Sequence, residues 1–335
     1  MYHSRFKKSH YEAGFHYGQM LLKNNKRIDD NHTFIISQKR KDFAEKCLPY
    51  YQQFYPEILD EIRGLADGQQ ISYENMYTFL LSMYCFEFNN KCTCFAFQTK
   101  NEILLGRNSD FLVELEKLYM NCLYSLDDVY AFNGNTTAFI EIEDGVNEYG
   151  LAIGLTFIYP YIVQPGLNAG MLVRFLLEKC QTVNEAISYL KKLPIASSQT
   201  LTMIDKQGDM VIVECNPQHV ILIYPNEKEN FIVTTNHFHS QEMKMYRNID
   251  IDNWKSDIRY EMAYQALKSN PQLYSVEFAK DVLKGKYGFM CQYDRKRGAD
   301  TVWSVIYDVK NNKILRSEGN PSRKKYKEDK RFNWK

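Results

Sequence analysis

A cysteine, an arginine and an aspartate are spaced so that one hairpin would gather them. Residues 91–110 read K-C-T-C-F-A-F-Q-T-K-N-E-I-L-L-G-R-N-S-D. The first half alternates like a strand, with Cys92, Cys94 and Ala96 on one side and Thr93, Phe95 and Phe97 on the other. Lys100-Asn101-Glu102 supplies a turn, and Ile103-Leu104-Leu105 returns the chain to Gly106-Arg107-Asn108-Ser109-Asp110. Such a hairpin sets Cys92, at the start of one strand, beside Arg107 and Asp110 at the end of the other. A thiol next to a guanidinium is a nucleophile in the making, because positive charge favours the thiolate. Spacing alone also fits a buried hairpin with an incidental cysteine, since free cysteine is among the most buried residue types.

The elements that must carry this hairpin change character at its start. Residues 1–90 read helical, with apolar spacing near 3.6 over 11–23 and 34–51. A further stretch, 56–65, opens on Pro56, and one over 73–88 follows Ser72. From Cys92 onward the period becomes two. Strands are predicted at 92–99, 102–107, 136–142, 150–156, 200–205, 210–215, 219–224, 230–235, 301–308 and 313–317. Helices are predicted at 169–193 and 257–269, with a shorter one at 276–283. Paired strands with helices set between them indicate an α+β fold of antiparallel sheets covered by helices.

Composition narrows the function classes. The chain has 335 residues, with 42 Lys and Arg against 41 Asp and Glu, so no polyanion-binding surface follows from net charge. The basic run at 323–327, with Lys330 and Arg331, reads as a solvated tail rather than a nucleic-acid patch. No window approaches the roughly 18 apolar residues of a membrane span, and the first residues lead into no apolar stretch. A cytoplasmic protein is the default expectation. Eight irregularly spaced cysteines are not a disulfide framework. Cys92 and Cys94 face the same way, but no second Cys/His cluster completes a metal set, so no metal and no cofactor are expected. With 25 Tyr and 20 Phe, aromatic side chains are available to wall an apolar pocket.

The pattern Cys92-Thr93 with Phe95-Ala96, followed by Gly106-Arg107-Asn108 and Asp110, resembles the N-terminal-nucleophile hydrolases of linear amides. These are the choloylglycine hydrolases, penicillin V acylases and isopenicillin-N or 6-aminopenicillanate acyltransferases. The resemblance continues upstream through Tyr11-Glu12-Ala13-Gly14, Gly18 and residues 56–68. Downstream it continues through Asp144-Gly145-Val146-Asn147-Glu148-Tyr149-Gly150-Leu151, Ile204-Asp205 with Gly208 and Glu214, and Thr234-Thr235-Asn236-His237. Ser256-Asp257-Ile258-Arg259-Tyr260, Thr301-Val302-Trp303-Ser304 and Gly319-Asn320-Pro321 complete it. It implies a four-layer αββα sandwich in residues 92–335. It also implies a helical propeptide-like segment, 1–91, that becomes a small subunit if the chain is cut between Lys91 and Cys92. Two departures stand out. Asn90-Lys91 precedes the cysteine where the family often has a small or acidic residue and then Gly. Met290-Cys291-Gln292 stands where the acyltransferase branch often has I-C-R, which leaves that arginine's role to Arg259, Arg295 or Arg297.

The chemistry implied is amide hydrolysis or acyl transfer through a Cys92 thioester, with a small-molecule amide or acyl donor as partner and homo-oligomerisation left open. Once the 91–92 bond is cut, the new α-amine, with a pKa near ~8, can take the thiol proton. In this scheme Arg107 holds the thiolate and Asp110 orients the α-amine. Asn147 and Asn236 donate to the oxyanion, and Arg259 braces the site. Thr93 lines the pocket, and Tyr119, Phe157, Tyr159 and Tyr161 are candidates for its apolar wall. Two rivals remain: a papain-type pair of Cys92 with His237 as base, and an uncut protein of the same fold that only binds.

Overall fold

The structure, a computed structural model, describes residues 1–28, 35–86 and 90–335. Phe34, which opens the second predicted helix, residues 87 and 88, which close the fourth, and Asn89, just before the proposed cut, lie outside the described residues. The described residues form eight α-helices: α1 (His10–Lys23), α2 (Gln38–Phe54), α3 (Pro56–Gln69), α4 (Tyr73–Leu81), α5 (Ala169–Lys179), α6 (Val183–Leu190), α7 (Ser256–Ser269) and α8 (Val276–Leu283).

Two sheets face each other. The larger contains β1 (Tyr2–Lys8), β4 (Met120–Leu126), β5 (Phe132–Thr136), β6 (Asp144–Asn147), β7 (Ala152–Ile158), β8 (Ser198–Ile204), β9 (Met210–Cys215) and β10 (Val220–Ile223), in that spatial order. The smaller runs β11 (Phe231–Thr234), β2 (Lys91–Gln98), β3 (Ile103–Leu112), β12 (Ala299–Asp308), β13 (Lys313–Ser317) and β14 (Lys327–Glu328). All neighbours are antiparallel except β1 and β4.

Period-two alternation builds the layers. On β2, Cys94 and Ala96 enter the core between the sheets with Leu105, Val146, Ala152 and Trp303. Phe95 and Phe97 point the other way, to Ala263, Leu267, Phe278 and Leu283 of α7 and α8. The outer face of the larger sheet packs against α1–α6. The result is the expected αββα order.

The N-terminal segment is not helical throughout. Its first residues form β1, paired in parallel with β4, so the segment completes an edge of the larger sheet. Ser9 and Glu12 form a capping box that starts α1 directly afterwards. Glycines then let α1 and α3 touch backbone to backbone: a Cβ on Gly14 would lie 2.0 Å from the Glu61 carbonyl oxygen. Behind them a buried ion cluster joins the segment to α5, with Arg174 bonded to Glu61 at 2.7 Å and to Glu178 at 2.6 Å. His10 and Tyr55 also reach Glu178.

Residues 138–142 correct the strand predicted at 136–142. Ala138 N–H bonds the Thr136 hydroxyl, Glu141 N–H bonds the Ala138 carbonyl, and Phe139 has φ +61°, so the chain turns there. In the basic C-terminus Arg323, Lys324, Lys325, Lys327 and Lys330 are exposed, as expected, but Arg331 and its neighbours are tied down. Asp329 bonds Arg316 and Arg331, Arg331 reaches the buried Asn121, and Phe332 packs between the sheets.

Candidate active site

The hairpin forms with Lys91 opposite Asp110, Cys92 opposite Ser109 and Cys94 opposite Arg107. Arg107 therefore lies diagonally across from Cys92 on the face between the sheets, and its Nη2 donates to Sγ at 2.7 Å. Gly154 on β7 leaves the room this needs, since a Cβ there would stand 2.5 Å from the Cys94 sulfur and 3.3 Å from Arg107 Cδ. The guanidinium is shared: Nη1 bonds Asp144 at 2.6 Å, Nη2 also meets Glu143 at 3.3 Å, and Nε bonds the Leu155 carbonyl. Asp144 is held in turn by Trp303 Nε1, the Tyr307 hydroxyl and Asn135.

Cys92 is held at every polar atom. Its N–H donates to Asn236 Oδ1 at 2.9 Å, and its carbonyl accepts from Arg259 Nη1. Its thiol donates to Asn90 Oδ1 at 3.7 Å. Arg259, from the first turn of α7, also bonds Thr93 Oγ1 at 2.9 Å and Asn236 Oδ1 at 2.8 Å. The thiol is fully buried, and burial pushes its pKa up to about 12 despite Arg107. In the uncut chain it is a thiol, not the thiolate anticipated from the arginine alone. The guanidinium charge is already divided between Glu143 and Asp144, so its pull on the sulfur does not offset desolvation.

Parity puts Asp110 on the other face of β3. It accepts from the Thr301 hydroxyl at 2.5 Å and the Tyr293 hydroxyl at 3.0 Å, with Arg259 at 3.9 Å. Burial raises its carboxyl to about 6, against the pull of Arg259. Lys91, directly opposite, is 2 % exposed, and burial with Arg259 close by lowers its ammonium to about 8.

Asn236 is at the site, but with the amide reversed from expectation. Cys92 N–H and Arg259 can only donate, so the atom facing them is the oxygen. Nδ2 donates to the Phe157 carbonyl at 2.7 Å. Asn147 is not at the cysteine. Its Nδ2 bonds the Leu177 and Cys180 carbonyls at the end of α5, and its Oδ1 takes the Tyr149 and Leu151 N–H groups. It organises the β6–β7 turn instead of stabilising an oxyanion. Arg295 pairs with Glu116 and the buried Asp300, and Arg297 with Asp294, so of these three arginines it is Arg259 that touches Cys92. His237 turns away: Nδ1 meets Ser256 Oγ at 2.7 Å, Nε2 lies 3.5 Å from Asp257, and burial lowers its pKa to about 4.

Two hollows share Tyr159 as a wall. A small one of 20 Å³ is walled by Lys91, Phe157, Tyr159 and Asn236. A broad cleft of 840 Å³, between α2 and residues 159–165, is lined by Phe43, Phe86, Tyr159, Tyr161 and Pro165, with Lys39 and Asp42 at its edge. Tyr119 is absent from both; it packs on Trp303 in the core between the sheets and bonds the Leu112 carbonyl. The Phe157 ring packs near Tyr84 on the helical side.

Sequence reasoning missed Asn90, Ser109, Glu143 and Asp144 as parts of the site. Strand parity alone assigns Ser109 to the face of Cys92. The predicted strand stops at 142, short of Glu143 and Asp144, and only the pairing of β6 with β7 carries them under Arg107.

Fold and site together define an N-terminal-nucleophile hydrolase architecture. An N-acylethanolamine-hydrolyzing acid amidase ortholog from Caenorhabditis elegans has this fold, with a TM-score of 0.50, 19 % identity, and coverage of 65 % of this chain and 93 % of that one. Penicillin V acylase from Agrobacterium tumefaciens aligns at a TM-score of 0.47 and 18 % identity, over 68 % of this chain and 83 % of its own. No curated protein matches the sequence. The sequence model of the acyl-coenzyme A:6-aminopenicillanic acid acyl-transferase family matches residues 97–323, and the chain belongs to that family. Among the described residues no helix is long and apolar enough to cross a membrane, and no His, Cys, Asp and Glu cluster fits a metal ion.

Proposed function

We propose that this protein is a cysteine amidase or N-acyltransferase that cuts its own chain between Lys91 and Cys92 and then works through a Cys92 thioester. One observation carries the reading: the N–H, carbonyl and sulfur of Cys92 are each held by a side chain from a different element, Asn236, Arg259 and Arg107. A core cysteine needs none of these. Family membership supports acyl-group chemistry as the reaction class.

In the first reaction the sulfur adds to the Lys91 carbonyl carbon, the 91–92 C–N bond breaks, and water hydrolyses the resulting thioester. The products are a Lys91 carboxylate and a Cys92 α-amine. That amine then accepts the thiol proton in each turnover. The substrate amide forms an acyl thioester and releases its amine, and water or a second amine takes the acyl group. Asn236 Oδ1, already on the Cys92 nitrogen, and Asp110, paired to the same arginine, fit the task of holding the new ammonium. The cleft beyond Tyr159, with Phe43, Phe86 and Pro165 on its wall beside Lys39, Asp42 and Lys46, could take the acyl group, whose burial contributes about 0.8 kcal/mol per methylene. Residues 1–91 would stay docked as the small subunit, anchored by β1 and by the Arg174 cluster.

Burial of Lys91 and of the thiol favours a second reading, in which the chain stays uncut and only binds. Intact-mass measurement of the purified protein separates the two. Fragments 1–91 and 92–335 that vanish in Cys92→Ala support the enzyme; one intact chain in both refutes it. Amine release from a panel of bile-salt, penicillin and N-acyl amino-acid amides then identifies the substrate.

A further inference from the structure

The scheme above supplies a base only after the first cut, because an amide nitrogen cannot take a proton from the thiol. Something else must do so in the uncut chain. Three residues that touch Cys92 or face it across the hairpin converge on one carboxylate oxygen, Glu143 Oε2. Asn90 Nδ2 donates to it at 2.7 Å, Ser109 Oγ at 3.3 Å and Arg107 Nη2 at 3.3 Å. The same Arg107 nitrogen holds Cys92 Sγ, and the same Asn90 amide accepts from the thiol. One guanidinium nitrogen and one amide thus separate the sulfur from the oxygen. The other oxygen, Oε1, is fixed by the Thr137 N–H at 3.0 Å and by the Thr137 hydroxyl. Glu143 is fully buried, so it cannot be a solvated surface acid. Asp144 is committed to Arg107, Trp303, Tyr307 and Asn135, Asp110 belongs to the opposite face, and both nitrogens of His237 are engaged elsewhere.

We infer that Glu143 accepts the thiol proton in the self-cutting step, before the α-amine exists. The inference rests on the self-cutting reading. The proton moves through Asn90: Oδ1 takes the Cys92 S–H proton while Nδ2 releases one of its own to Glu143 Oε2, as the S–C bond to the Lys91 carbonyl forms. Glu143 then gives a proton back to Asn90 Nδ2, the Oδ1 proton goes to the departing Cys92 nitrogen as the C–N bond breaks, and water completes the thioester hydrolysis. A carboxylate whose acidity is weakened by burial is a better acceptor than a solvated one, and Glu143 is shifted in that direction, against Arg107 and Thr137. The groups that set its charge come from several elements: Arg107 and Cys92 from the hairpin, Asp144 on β6, Glu141 beside it, Tyr84 after α4 and Tyr119 before β4.

The test uses the full chain, made by cell-free synthesis, shifted to set pH values between 4 and 8, with the cut fraction read by intact mass. Wild-type cutting should fall at acid pH through one ionisation. Glu143→Gln should cut at least about 100-fold more slowly and lose that limb, and Glu143→Asp should recover part of the rate and keep a limb. Thr137→Val, which removes a donor to the carboxylate while leaving Asp110 untouched, should move the limb up by about one pH unit. This last shift does not depend on Glu143→Gln folding. If the wild type never cuts, the self-cutting reading falls and this role with it. If the wild type cuts while Glu143→Gln matches its rate and profile, or Thr137→Val leaves the limb in place, only the role of Glu143 is overturned.

Discussion

Asn236 offers a direct test of how the amide at the site is used. Its oxygen accepts from the Cys92 N–H at 2.9 Å and from Arg259 at 2.8 Å, while its nitrogen donates to the Phe157 carbonyl at 2.7 Å. Asn236→Ala removes all three. Asn236→Asp keeps both acceptor contacts and replaces the donor by a second oxygen, which must draw back from the Phe157 carbonyl. During cutting the Cys92 nitrogen changes from an amide to an ammonium, so its bond to an acceptor strengthens along the reaction and favours the transition state. A neutral hydrogen bond contributes about 1 kcal/mol and one to a charged group about 2 kcal/mol. Alanine should therefore slow cutting by about 4 kcal/mol, or roughly 1,000-fold. Aspartate, with the buried Arg259 beside it to balance its charge, should lose about 1 kcal/mol, or roughly fivefold. Intact mass followed over time gives the cutting rates, and thermal melting of Cys92→Ala-backed versions checks the fold. Aspartate as slow as alanine, with melting unchanged, would refute the orientation argued here and return the NH₂ group to the oxyanion.

Three further outcomes follow from the packing. Arg174→Met leaves Glu61 and Glu178 buried without their cation and should cost about 3–5 kcal/mol in urea unfolding, with part regained on adding Glu61→Gln. Asp110 has its folded pKa raised to about 6 from 3.8, so the folded state binds the extra proton and stability falls as pH rises through that window. Asp110→Asn should remove this fall, so its stability relative to wild type should improve from pH 4 to pH 7; a constant difference would count against the buried carboxylate. Gly14→Ala, with its Cβ 2.0 Å from the Glu61 carbonyl oxygen, should force α1 off α3 and lower the melting temperature by more than 10 °C; an unchanged melt would mean the helices can part freely.

The hairpin was readable because both its strands are apolar on both faces next to the turn, at Phe95–Phe97 and Ile103–Leu105, and the turn is marked by polar residues, so Cys92 and Arg107 could be paired from spacing. Strands without an apolar rhythm were not readable. β1 buries only Ser4 and Phe6 out of seven residues, which leaves no alternation to detect. β4 and β5 carry Asn121, Asn133 and Asn135 into the space between the sheets, where they bond one another, Arg316 and Arg331. An interior built from asparagine and arginine looks like loop in a hydropathy pattern. The converse error, the strand placed at 136–142, came from Ile140 and Ile142, which are buried by the helical layer without pairing to any strand.

Which side chains converge is a stricter question than which are present, and parity answers part of it. Arg107 and Asp110 are three residues apart on one strand, so a period of two sends them to opposite faces. Reading that parity would have assigned the guanidinium to the sulfur and the carboxylate to the side of the backbone where Arg259 lies. No such rule reaches Glu143. Its contact with Arg107 crosses from one sheet to the other, and neither strand's periodicity records the partner. The site thus divides by mechanism of placement. Contacts set by hairpin register were available from spacing, whereas contacts set by sheet-on-sheet stacking required the fold. The residue assigned here to the first proton transfer belongs to the second kind.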